Sequence, residues 1–147
     1  MKALAENRQA KFDYKILEKI EAGIELKGFE VKAVKSGRMN LTGSYARVKG
    51  NEVWLINAAI QPYQPKNTPK DYDPERTRRL LLTKKEIKHL TGKEKESGLT
   101  LIPLRAYIRG RLVKLELGLG RHKKKSDKRE VIKRRETDRD IRRALKK

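Results

Sequence analysis

LRAYIRGRLVKLELGL, running from Leu104 to Leu119, alternates apolar and polar side chains twice over. Leu104, Ala106 and Ile108 interleave with Arg105, Tyr107 and Arg109, and then Val113, Leu115, Leu117 and Leu119 interleave with Lys114, Glu116 and Gly118. A repeat of two is the signature of a strand with one buried face, so this stretch predicts a β-hairpin turning around Arg109-Gly110. Working outward, GSYARVKGNEVWLIN (residues 43–57) predicts a second hairpin with Lys49-Gly50-Asn51 as its turn, extended by Asn57 to Ile60. Tyr63 to Pro74 holds Pro65, Pro69 and Pro74 among polar residues and reads as a long loop of the kind that is often functional.

Helical signals are short. Thr83-Lys84-Lys85-Glu86 has the form of a capping box and opens a helix through Ile87 and Leu90 that stops at Gly92. A second helix fits Phe29 to Lys35, bracketed by Gly28 and Gly37. FDYKILEKIEAGIEL, from Phe12 to Leu26, is ambiguous: Ile16, Ile20 and Ile24 keep helical spacing, while Phe12, Tyr14 and Ile16 alternate as in a strand. At least four strands, two short helices and no regular strand-helix alternation predict a small antiparallel barrel or an α+β domain.

The 147 residues allow one domain, and their 39 Lys+Arg against 19 Asp+Glu, a net charge of +20, demand an anionic partner. Residues 118–147 hold 14 Lys+Arg and 5 Asp+Glu but few large apolar side chains. They cannot bury a core, so residues 1–119 are expected to form the folded body and residues 120–147 a basic tail, disordered as a free chain. No cysteine is present, which removes disulfides and thiolate chemistry. No apolar run approaches the roughly 18 residues of a membrane span, and MKALAENRQAKFDYK lacks a secretory apolar segment, so a soluble cytoplasmic protein is expected.

Enzyme chemistry is poorly supplied. His89 and His122 lack metal-ligand spacing and read as solvated side chains, and there is no phosphate-binding loop, nucleophile elbow or dinucleotide fingerprint. Asp71 and Asp73 sit in the proline-rich loop and read as turn formers. No catalytic residue, metal or cofactor is expected. Nucleic acid binding has better material: Arg76, Arg78, Arg79, Lys84 and Lys85, then Arg105, Arg109, Arg111 and Lys114, then the run from Arg121 to Lys125. Such clusters release counterions on meeting phosphate. No broad apolar helix face supports a membrane partner.

Four blocks in order, ENRQAKFDY (6–14), IEAGIELKGFEVKAVKSGRMNLTGSY (20–45), DPERTRRLLLTKKEI (73–87) and GLGRHKKKSDKRE (118–130), resemble the small protein B (SmpB) family, partners of transfer-messenger RNA (tmRNA). The resemblance implies a mostly β, antiparallel barrel like the oligonucleotide-binding (OB) fold, with short flanking helices and a basic tail. It makes the ambiguous first segment a strand. It further implies a non-catalytic monomer that binds the tRNA-like domain of tmRNA and reaches stalled ribosomes with the elongation factor carrying aminoacyl-tmRNA. Carried over by position, RNA contacts fall on Asn7, Glu21, Leu81 and Lys114, with Arg78 and Arg79 suited to phosphate. Glu21 accepts from base amino or imino groups, which no arginine can do, and otherwise reads as a salt-bridged strand residue. Leu81 is either a contact or packing beneath one.

For the tail the resemblance implies that Lys124, Lys125, Asp127, Lys128, Arg129, Lys133, Arg134, Arg135 and Arg142 engage ribosomal RNA of the small subunit. The segment would become helical in the empty mRNA path and decoding centre. Residues 131–145 contain no proline or glycine, which permits this. The sequence departs from the family at Ser126 and Thr137, where many members carry ring side chains, and at His122, which replaces a glycine. Phosphate contacts must therefore count for more than stacking. A structural ribosomal protein is the alternative, sharing the basic tail but binding ribosomes without tmRNA.

Overall fold

The structure, a computed structural model, describes residues 2–96, 98–124, 128–129, 132–136 and 139. In chain order the elements are β1 (Ala3–Glu6), α1 (Arg8–Asp13), β2 (Tyr14–Ile24), α2 (Gly28–Lys35), β3 (Met39–Asn40), β4 (Tyr45–Lys49), β5 (Glu52–Ile56), β6 (Ala59–Ile60), β7 (Arg78–Leu81), α3 (Lys84–Glu94), β8 (Leu99–Arg109) and β9 (Leu112–His122). The hairpin that opened the sequence reading is β8–β9, paired antiparallel from Leu99↔Arg121 to Arg109↔Leu112. Its two-residue turn places Gly110 at φ 64°, a conformation that costs an L side chain and suits glycine at the first turn position. β4–β5 is the second expected hairpin, closing at Lys49↔Glu52 around Gly50 and Asn51.

β9 bonds β2, β2 bonds β7, β7 bonds β5, β5 bonds β4, and β4 returns to β8 through Ala46↔Leu101, so six antiparallel strands close a ring. β1 adds to β8 alongside β4, and β3 pairs with β6 as a separate two-stranded sheet. Closure leaves few free strand edges, and the mostly β, OB-like barrel expected from the resemblance is the architecture found. Leu41, Val53, Leu55, Ile60, Leu80, Leu115 and Leu117 fill the interior and are almost wholly closed to solvent.

The ambiguous first segment is a strand: Ile20 and Ile24, four residues apart, share its inner face because four is a multiple of two, whereas Ile16, opposite Gly120, lies on the other face and packs in the cluster beneath α1. A bulge between Ile16 and Glu18 sets Leu17 outside the pairing, where it is 50% exposed. A second bulge, between Pro103 and Arg105, corrects the expected alternation in β8. Leu104 is its extra residue and leaves the face of Ala106, joining Ala10 and Ile102 in a small cluster beneath α1. Gly118 makes that cluster possible, because a Cβ there would meet Leu104 Cδ1 at 2.9 Å and Ile16 Cδ1 at 3.2 Å.

α2 spans Gly28–Lys35, one residue longer at its start than the helix read from the sequence. α3 begins at the Thr83 capping box but continues past Gly92 to Glu94, since this glycine keeps a helical backbone rather than a left-handed stop. Asn57 to Ile60 does not extend β5: Asn57 takes φ 65°, the chain turns, and β6 pairs with β3. The Tyr63–Pro74 loop contains one 3₁₀ turn at Pro65–Asn67. β1 and α1 had no signal strong enough to be read in advance, and β9 runs to His122, three residues beyond Leu119. No helix among the described residues is long and apolar enough to cross a membrane.

Candidate nucleic-acid interface

β2 lies between β7 and β9, and in that register Gly23 faces Leu81 on one side and Lys114 on the other. All three are on the outer face of the barrel. Gly23 supplies no side chain, so its neighbours close over it: a Cβ there would lie 3.2 Å from Leu81 Cβ and 3.6 Å from Lys114 Nζ. Leu81 remains 48% exposed, which rules out burial beneath the surface in this structure. Two residues along the same face of β7, Arg79 is half-exposed, with Glu25 and Glu52 each 3.9 Å from its guanidinium.

Glu21, two residues before Gly23, completes the group. Its Oε2 accepts from the Tyr107 hydroxyl and lies 3.2 Å from Arg109 Nη2. Both contacts use the same oxygen, and the side chain is 35% exposed, so Oε1 can accept from outside. Burial pushes the Tyr107 hydroxyl up to about 12, with the Glu21 carboxylate adding to the effect, which keeps it a donor at neutral pH. Arg105 lies over the Tyr107 ring at 4.9 Å and reaches Glu116 at 3.5 Å. Since Glu116 is opposite Glu21 across the strands, these cations offset a like-charge pair. The resulting patch offers an acceptor held by donors, an exposed leucine over bare backbone, and cations along the rim.

Two of the expected contact residues do not belong to it. Asn7 is 2% exposed and caps α1: Oδ1 accepts from the Ala10 amide at 3.1 Å, while Nδ2 donates to Leu41 O at 3.1 Å and Pro103 O at 3.0 Å. Those bonds use both donors and an acceptor position, so the side chain has a structural role here. Arg78, expected to suit phosphate, is fully buried in this structure. Its Nε donates to Glu30 Oε2 at 2.8 Å, Nη1 to Ala58 O at 2.8 Å and Arg76 O at 3.1 Å, and Nη2 to the Tyr72 hydroxyl at 2.9 Å and Pro74 O at 3.0 Å. All five donor directions are occupied from within. Arg76 also bonds Glu30, through Nε at 3.2 Å and through Nη2.

The end of the Tyr63–Pro74 loop is thereby tied to the barrel through Tyr72 and Pro74. Asp73 acts as the turn former expected, accepting from the Glu75 amide at 2.9 Å. His89 pairs with Glu18 at 2.8 Å, and His122 packs edge-on against Tyr14 at 4.9 Å, so each histidine has a structural neighbour. Among the described residues no cluster of histidine and carboxylate groups could hold a metal ion.

Of the tail, Lys128, Arg129, residues 132–136 and Arg139 are helical. Lys128 Nζ lies 3.0 Å from Asp13 Oδ1 and 5.5 Å from the centre of the Phe12 ring, over which Arg135 also sits at 5.7 Å. The Lys123 amide donates to Asp13 O at 2.7 Å. Hydrogen bonds from Gln9 and Lys128 hold the Asp13 carboxyl below its usual range. Arg129, Lys133 and Arg134 are exposed. Lys124 precedes this stretch and is exposed, whereas Lys125, Ser126, Asp127, Thr137 and Arg142 lie outside the described residues. Tyr107 and Gly23 are members of this patch that sequence reasoning missed. The alternation in β8 places Tyr107 beside Arg105 and Arg109, but its bond to a residue 86 positions away has no local signal.

A closed antiparallel barrel carrying this mixed polar and cationic patch, in a chain of net charge +20, defines a basic barrel protein of the oligonucleotide-binding kind. A model of the SmpB protein family matches residues 4–147. The chain belongs to the SmpB family. It is 50% identical over 146 residues to the SsrA-binding protein of Synechocystis sp., covering 99% of this chain and 95% of that one. The SsrA-binding protein of Carboxydothermus hydrogenoformans is 50% identical over 145 residues, covering 99% and 97%. A chain in the solved structure described as "tmRNA-SmpB: a journey to the center of the bacterial ribosome" matches with a TM-score of 0.68 and 46% identity, covering 86% of this chain and 92% of that one.

Proposed function

We propose that this protein is the tmRNA-binding partner in trans-translation: it binds the tRNA-like domain of tmRNA and delivers it to ribosomes stalled without a stop codon. Membership of the SmpB family and likeness to SsrA-binding proteins support the reading. The observation that carries it is the convergence of Glu21, Leu81 and Lys114 around Gly23, three positions far apart in sequence that meet on one outer patch. Glu21 reads a base or sugar donor, Leu81 packs on the nucleic acid over Gly23, and Lys114 and Arg79 hold phosphates. The basic tail, including Lys124, Arg129, Lys133 and Arg134, occupies the empty mRNA path and decoding centre of the small subunit. The protein acts as a cytoplasmic monomer, with the elongation factor carrying aminoacyl-tmRNA, and catalyses no reaction itself.

Recovery of RNA bound to the purified full chain tests this. One dominant RNA with a tRNA-like end is the expected result. Ribosomal RNA alone would overturn it in favour of a structural ribosomal protein.

A further inference from the structure

Trp54, the chain's single tryptophan, is the middle member of a cross-strand row on the outer face: Arg47 of β4 is its partner on one side and Arg79 of β7 on the other. Val53 and Leu55 point into the core, so the pleat turns Trp54 outward. It lines an open groove of about 870 Å³ with Arg47, Lys49, Glu52, Ile56 and Thr77. Among the described residues no cation sits over its ring, whereas Tyr63 and Tyr107 each carry one and Phe12 carries two.

We propose that this groove is a second RNA subsite, in which an unpaired nucleotide stacks its base on Trp54 and directs its phosphate to Arg47 and Lys49. The inference deepens the RNA-binding reading and rests on it for the class of ligand. Two features select a nucleotide. An aromatic face flanked by arginines matches a base joined to phosphate, because stacking is indifferent to sequence while the cations follow the backbone. The row is also continuous with the patch around Gly23, since Arg79 faces Trp54 and stands two residues from Leu81 on the same strand face. A strand of RNA leaving that patch therefore passes over Trp54.

The acidic groups nearby do not close the site. Glu52 is 3.9 Å from Arg79 Nε and Glu94 is 3.8 Å from Arg47 Nε, and exposed pairs at such separations are weak enough to exchange for phosphate. Glu52 also supplies an acceptor for a base amino group.

As the only tryptophan, Trp54 reports its own occupancy. The full chain is titrated at low salt with an unstructured oligoadenylate of about ten nucleotides, and with an abasic phosphodiester of equal length that carries the same charge without bases. Saturable quenching by the oligoadenylate and none by the abasic polymer is the expected result. Arg47→Ala, an outward substitution that leaves Trp54 in place, should raise the midpoint about fivefold, and Lys49→Ala should act in the same direction. Equal quenching by both polymers, or oligoadenylate binding with unchanged emission, overturns the stacking site. Quenching that grows with protein concentration alone means that a second copy covers the face, and also overturns it. Binding of the tRNA-like domain, measured in parallel by gel shift, distinguishes failure of this subsite from failure of the tmRNA reading.

Discussion

Arg78 and Glu30, 48 residues apart, form an ion pair with both side chains closed to solvent, Arg78 Nε donating to Glu30 Oε2 at 2.8 Å. Around it gather Arg76, Tyr72, the Lys27 amide and the carbonyls of Ala58 and Pro74, so the pair joins α2, β7 and the long loop. Tyr72 adds an edge contact to Phe29 at 4.9 Å. Every buried polar side-chain atom among the described residues has a partner, this cluster included.

Removing one member of the pair leaves the other charge buried and uncompensated. Arg78→Ala should therefore destabilise the protein by about 3–5 kcal/mol, far more than Arg79→Ala on the surface. Urea unfolding followed by circular dichroism separates the two variants. Equal, small effects would mean that water replaces the lost partner.

Burial pushes the Glu30 carboxyl up, but the bonds from Arg76, the Lys27 amide and Arg78 outweigh it and hold the group at about 2, below the ordinary value of 4.5. Its contribution to stability is thus fully present above about pH 4.5 and is lost as pH falls toward 2. Burial, reinforced by Glu30, raises Tyr72 from 10.0 to about 12, so its contribution is present below pH 10 and lost on rising toward 12. Thermal unfolding across both limbs should show the two declines, and Tyr72→Phe should reduce the alkaline one, the rest of which comes from Tyr107.

Glu21→Ala should weaken binding of the tRNA-like domain about tenfold without lowering the melting temperature appreciably. Tyr107→Phe removes the hydroxyl that orients Glu21 and should weaken binding less. The affinity of the parent protein should fall steeply with salt, with a log-log slope on the order of several units if several phosphates are held. Gel-shift titrations at fixed and varied salt measure all three, and a flat salt response would contradict a phosphate-rich interface.

Gly118→Ala places a methyl group against Leu104 and Ile16, which cannot both retreat from the closed cluster beneath α1. The expected cost is roughly 1–3 kcal/mol, read as a lower urea midpoint. Gly28→Ala, with nothing within 4 Å of the added carbon, is the control.

Deletion from Ser126 onward should leave the barrel and its binding of the tRNA-like domain nearly intact while abolishing tagging of nascent chains on stalled ribosomes. Reversing the charges of Asp127, Lys128 and Arg129 at constant length should have the same effect. A reconstituted stalled-ribosome assay beside an RNA titration decides it; normal tagging by the shortened protein would defeat the role assigned to the tail.

Local chemistry made much of this protein readable from its sequence. Alternation over Leu104–Leu119 announced β8 and β9, the Gly50 turn announced β4 and β5, and the Thr83 box announced α3, because each signal lies within a few residues of the structure it specifies. The excess of Lys and Arg likewise indicated an anionic partner without reference to any fold. Tertiary structure alone decided which charges face outward. Arg78 and Arg79 are adjacent and chemically identical, yet one is fully buried and the other half-exposed, because the pleat turns successive side chains to opposite faces and Glu30 waits only on the inner one. It also decided that Asn7 caps a helix, that a bulge sends Leu104 to a second cluster, and that Glu21, Leu81 and Lys114 meet at Gly23. These outcomes depend on strand register and ring closure, which are set by packing between segments tens of residues apart and leave no mark on any single stretch of chain.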